Sequence, residues 1–122
     1  MTFFLVFLGG GLGSVCRYFI SFYLNAKSFP WATLIVNAIG ALIMGICIFF
    51  VIQKMMSLDK KALIMVGFLG GFTTFSSFGS EVFFMLRNSE FLKASFYVII
   101  SNFSVILFCF LGFFITKLIF FR

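Results

Sequence analysis

No histidine occurs in the 122 residues, which excludes imidazole-based proton relays and zinc sites. Acids number only three, Asp59, Glu81 and Glu90. None stands at the middle of the first two apolar runs, so proton-coupled export of cations has no evident proton carrier. The three cysteines, Cys16, Cys47 and Cys109, are odd in number and all fall inside apolar runs. That pattern reads as small buried hydrophobes and excludes a disulfide framework. Proline occurs once, at Pro30, and no run of low complexity or long loop leaves room for a separate domain.

What is present is apolar. With 63% hydrophobic residues and a mean hydropathy of +1.24, no aqueous core could hide so much surface, so the chain is an all-α integral membrane protein. The net charge of +6 is scattered over short loops and the C-terminus. It suits lipid headgroups rather than nucleic acid. A membrane helix needs roughly 20 apolar residues, and four such spans fit, at about 3–24, 31–53, 62–86 and 94–116. They form a single four-helix transmembrane domain, with short connections around Asn25–Phe29, Lys54–Lys61 and Arg87–Leu92. The first span has no positive segment before it and no cleavage site after it, so it is expected to be retained.

Lysine and arginine counts set orientation. One side of the spans carries Lys54, Lys60, Lys61, Lys117 and Arg122, and the other carries Lys27, Arg87 and Lys93. Arg17 joins the second group if it snorkels that way. So small a bias allows insertion in both directions and antiparallel pairing of two copies.

The spans carry polar residues at regular spacing. Span one holds Gly9-Gly10-Gly11-x-Gly13-Ser14, whose Gly9-xxx-Gly13 lets helices approach closely. One turn later Arg17 either ends the span at the interface or forms the positive rim of an anion path. An arginine inside a span costs ~2.5–3.5 kcal/mol unless it snorkels or pairs. In span two, Thr33 and Asn37 share a face, continued by Gly40 and Ala41. In span four, Tyr97, Ser101 and Ser104 form a hydroxyl stripe, while Asn102 points elsewhere.

Span three contains GFLGGFTTFSSF from Gly67 to Phe78. Glycine is a poor helix former, and non-helical backbone at membrane depth survives only where protein or a wet cavity surrounds it. A broken third helix is therefore expected at Gly70–Thr73, with the second half starting near Thr74 or Phe75. The first half would end in unpaired carbonyls suited to a hard cation. Without a nearby carboxylate, Na⁺ fits better than Ca²⁺ or Mg²⁺. Phe75 and Phe78 share a face, and aromatic edges carry positive charge that can meet an anion. Hydroxyls, an amide and ring edges make a neutral, donor-rich lining for a small anion that must shed water.

These motifs resemble those of the Fluc/CrcB fluoride channels. The matching residues are Gly10-Gly11-x-Gly13-x-x-x-Arg17-Tyr18, Thr33-x-x-x-Asn37-x-x-Gly40 and Gly70-Gly71-Phe72-Thr73-Thr74-Phe75-Ser76-Ser77-Phe78. The resemblance implies an antiparallel, dual-topology homodimer in the cell membrane of a bacterium, with two pores for passive efflux of cytoplasmic fluoride and no enzymatic activity. It also implies a structural Na⁺ at the dimer centre, held by backbone carbonyls of Gly70 and Thr73. Asn37, Phe75, Phe78, Tyr97 and Ser101 are then pathway residues, joined by Thr33, Thr74 and Ser104, with Arg17 in the vestibule. Glu81 matches a carboxylate three residues past the second pore phenylalanine. Val105 stands where the polar track would carry a hydroxyl, and Ser104 is expected to substitute by a small rotation. The small charge bias favours two copies of this chain over a paralogous partner. A small multidrug-type dual-topology exporter is the alternative, but it should carry a glutamate in span one. A lipid-modifying membrane enzyme would need more carboxylates and a metal.

Overall fold

The computed structural model describes residues 1–24 and 28–122. Lys27 in the charge count, and residues 25–27 of the first connection, lie outside the described residues. Among the described residues, four helical spans are long and apolar enough to cross a membrane. Helix α1 covers Thr2–Tyr23, and α2 covers Trp31–Ile52, with Pro30 as the residue before its first turn. The third span is broken. Its first half, α3, runs through Leu58–Lys60, a stretch of wide π-helical turns at Lys61–Leu69 and a last turn at Gly70–Phe72. Its second half, α4, is Phe75–Arg87. Helix α5 spans Phe91–Phe120.

Local chemistry sets several ends. Ser57 caps α3 by accepting from the Lys60 amide at 3.4 Å, and Thr74 caps α4 by accepting from the Ser77 amide at 3.2 Å. Both are preferred N-cap residues. Helix α5 runs past the apolar stretch expected for span four, because Lys93 and Lys117 ride on its end turns. Their long stems can lie along apolar surface while the ammonium reaches the headgroups.

Packing is organised by glycine. Helix α1 lies along α3, and α2 lies along α5. A Cβ at Gly13 would overlap the Phe68 carbonyl oxygen, and one at Gly9 would overlap that of Leu63. On the other pair, Gly45 abuts the Cys109 carbonyl and Gly112 abuts that of Leu42. Lipid offers no hydrophobic drive for helix association, so such backbone-to-backbone approach supplies the packing energy. The Gly9-xxx-Gly13 motif thus finds its partner in α3. Much apolar surface remains uncovered within one protomer: only 11% of the apolar window of α1 is buried. The fully buried large side chains are Tyr97, Phe49, Leu69 and Val36. Tyr97 carries a hydroxyl, and a buried hydroxyl needs a hydrogen-bond partner.

Candidate functional site

The helix stops at Phe72 because Thr73 (φ −78°, ψ 158°) and Thr74 (φ −149°, ψ 123°) are extended. Thr73 still closes the preceding turn, its amide and hydroxyl both donating to the Leu69 carbonyl, at 3.0 Å and 2.7 Å. Its methyl fills the space left by Gly40 on α2. Beyond that point the carbonyls of Gly70, Gly71 and Phe72 lose the amides they would meet in a continuous helix.

Two side chains from neighbouring helices take over. Asn37 on α2 accepts from the Thr74 amide at 2.8 Å and donates through Nδ2 to the Thr74 carbonyl at 3.0 Å. Arg17 on α1 donates through Nε to the Gly71 carbonyl at 3.0 Å, and the Ser14 hydroxyl reaches the same oxygen at 3.4 Å. Among the described residues no hydrogen bond reaches the Gly70 or Thr73 carbonyl. A pair of backbone oxygens with no amide partner and no carboxylate beside them is a donor set that fits a monovalent hard cation.

A second polar cluster joins α2, α4 and α5. The Glu81 carboxylate accepts from the Thr33 hydroxyl at 2.6 Å and from the Tyr97 hydroxyl at 2.6 Å. Bonds this short between hydroxyl and carboxylate are charge-assisted. Thr33 and Asn37 therefore share a face of α2 but serve different partners. The Tyr97 ring packs against Phe78 at 5.2 Å between centroids and meets Phe29 edge-on at 5.3 Å. Phe78 in turn lies 5.3 Å from Phe75. The two phenylalanines differ in setting: Phe78 is 9% exposed, whereas Phe75 is 79% exposed and projects outward from the protomer.

The stripe on α5 divides as well. Tyr97 and Ser101 are buried, and the Ser101 hydroxyl has no partner among the described residues. Ser104 donates to the Ser101 carbonyl at 3.0 Å, so its proton is committed to its own helix, a common fate of serine in apolar helices. Asn102 is likewise bonded to the Val98 carbonyl at 2.7 Å and stays outside the site.

Two cavities flank these groups. One of about 550 Å³ is lined by Thr33, Ser77, Ser80, Glu81, Asn88 and Lys93 among others. The other, of about 280 Å³, lies further along α2 and is lined by Asn37, Gly40, Thr73, Thr74, Phe75 and Val105 among others. Thr33 and Glu81 open onto the first and Asn37, Thr74 and Phe75 onto the second, whereas Phe78, Tyr97, Ser101 and Ser104 line neither. In the sequence Glu81 is marked only by its position three residues past Phe78. That Glu81 joins three helices is signalled by a lone acid in an apolar span, which needs buried donors, and by its i, i+3 spacing from Phe78.

Residues 4–113 match the family described as CrcB-like protein, Camphor Resistance (CrcB). Similar proteins include three named fluoride-specific ion channel FluC. That of Coxiella burnetii is 41% identical over 106 residues, covering 83% of this chain and 86% of the relative. A Shewanella protein is 43% identical over 107 residues, covering 85% and 86%. The Thermus thermophilus protein is 39% identical over 112 residues, covering 89% and 88%.

Proposed function

This chain belongs to the CrcB-like family, and we infer from that membership that it is a fluoride-specific ion channel of a bacterial cell membrane, not an enzyme. We propose further that it gives passive efflux of cytoplasmic fluoride through two pores of an antiparallel homodimer. Three observations support the pairing. The Lys and Arg count barely favours one orientation, most of α1 is uncovered in one protomer, and Phe75 projects from it. An epitope at the C-terminus should then be reached from both sides of intact cells and spheroplasts; labelling from one side only contradicts the antiparallel arrangement.

The observation that carries the conduction mechanism is the Ser101 hydroxyl, buried and without a hydrogen-bond partner among the described residues of one protomer, one helical turn from Tyr97. A buried donor left unpaired is costly, and a dehydrated anion is the ligand that would satisfy it. Asn37 adds a second source, because its amide has two N–H groups and spends one on the Thr74 carbonyl. Fluoride entering through the larger cavity would exchange water for these donors in steps. The edges of Phe78 and Phe75 then face the anion at the narrowest point. Thr33 and Tyr97 satisfy the Glu81 carboxylate, which keeps its charge engaged while it orients the Tyr97 ring against Phe78. The Gly70 and Thr73 carbonyls of each copy would hold a structural Na⁺, whose charge would offset the exposed carbonyl ends and join the protomers. No bond is made or broken. The test is fluoride release from liposomes holding the purified protein, followed with a fluoride electrode. Release well above empty liposomes, without matching chloride release, is expected. Absence of release, or equal chloride release, contradicts the reading.

A further inference from the structure

We propose that Arg17 is a positioning residue for the pore: through Nε, and together with Ser14, it replaces the amide that the Gly71 carbonyl loses at the break. It thereby fixes where the first half of the third span ends. The sequence left its role between an interfacial end of span one and a loose positive rim. The geometry assigns a third.

The starting point is the cost of a guanidinium inside a span. Among the described residues the ion pair within reach is Lys93 with Glu90, and Arg17 has no carboxylate. Its partner is a main-chain oxygen, at 3.0 Å from Nε. In an unbroken helix that oxygen would receive the Phe75 amide, but Phe75 is already the first residue of α4. A charged donor makes a stronger bond than the amide it replaces.

The delivery of Arg17 to this oxygen follows from the seam between α1 and α3. Gly10, Ser14 and Arg17 lie at i, i+4 and i+7, on one helix face. The Gly10 carbonyl sits where a Cβ on Gly71 would be, and Gly13 abuts the Phe68 carbonyl and the Phe72 amide. Backbones this close leave α1 no freedom to slide, so Ser14 and Arg17 reach the same oxygen together. Gly71 follows the Gly70 carbonyl and precedes Asn37's anchor at Thr74. Arg17 therefore holds the break from α1 while Asn37 holds it from α2, and the start of α4, with Phe75 and Phe78, is set between them.

A pair of substitutions separates position from charge. In Arg17→Gln the amide nitrogen stands the same number of bonds from Cα as Nε, so the donor stays and the charge goes. In Arg17→Lys the charge stays, a methylene occupies the place of Nε, and the donor moves one bond further out to Nζ. Both are made in the full-length protein in liposomes, with hydrogen–deuterium exchange of the Phe72–Phe78 peptide and fluoride release as readouts. Arg17→Lys should raise exchange there by about threefold or more and cut release by about tenfold or more. Arg17→Gln should keep exchange within about twofold of the parent, and α5 peptides should be unchanged in both. Arg17→Leu removes donor and charge together and is expected to raise exchange in the same peptide by about threefold or more. Native exchange in Arg17→Leu, or raised exchange in Arg17→Gln, overturns the proposal. The release arm rests on the fluoride reading, whereas the exchange arm does not, so the two fail separately.

Discussion

Asn37 pairs its side-chain amide with both main-chain groups of one residue, accepting from the Thr74 amide at 2.8 Å and donating to the Thr74 carbonyl at 3.0 Å. An interruption of a membrane helix leaves groups that lipid cannot satisfy, and here one side chain satisfies two of them. Asn37→Ala should destabilise the protein by about 2–4 kcal/mol, from two polar groups left unpaired. Asn37→Asp accepts from the amide but cannot donate, and it places a negative charge beside the anion route. Fluoride release should fall by about tenfold or more for Asp, and a variant that conducts like the parent would refute this role.

Glu81 joins three helices through two hydroxyls, Thr33 from α2 and Tyr97 from α5. Thr33→Val and Tyr97→Phe each remove one donor from the carboxylate and should cost about 1–3 kcal/mol apiece. Because both act on the same group, the double variant should depart from additivity by about 0.5 kcal/mol or more. Chemical unfolding in detergent measures the cycle. Strict additivity would mean that the two bonds do not share a role.

Neighbouring glycines of α1 should respond unequally. A Cβ on Gly13 meets the Phe68 carbonyl, whereas nothing lies within 4 Å of one on Gly11. Gly13→Ala should lower stability by about 1–3 kcal/mol through overpacking. Gly11→Ala, free of contacts in the protomer, should raise stability by up to about 1 kcal/mol through helix propensity. Equal effects in thermal unfolding would place the close seam elsewhere.

Much of this arrangement was legible in the residues. Apolar runs mark the four spans, and the glycine- and hydroxyl-rich stretch marks a break, but its position differs from the expected Gly70–Thr73: Gly70–Phe72 stay helical and the extended residues are Thr73 and Thr74. Gly40, on the face of α2 that carries Asn37, makes room for the Thr73 methyl. Partners were not legible. Arg17 meets Gly71 and Thr33 meets Glu81 across 54 and 48 residues of chain, and helical periodicity within one span cannot set the rotation of another. The same limit explains Ser104. Its place in the hydroxyl stripe was visible, but a bond to the Ser101 carbonyl depends on its rotamer, which spacing does not determine.

On the proposed mechanism a small anion passes ring edges set beside the clamped break. Phe78 lies between Phe75 and Tyr97, with centroids 5.3 Å and 5.2 Å away. Isoleucine in its place keeps apolar bulk and removes the positive ring edge. The most direct measurement is fluoride release from liposomes by Phe75→Ile and Phe78→Ile beside the parent, at matched amounts of folded protein. Each substitution should lower release by about a hundredfold or more while the protein elutes and melts as the parent does. Release at the parent rate from either variant would contradict it.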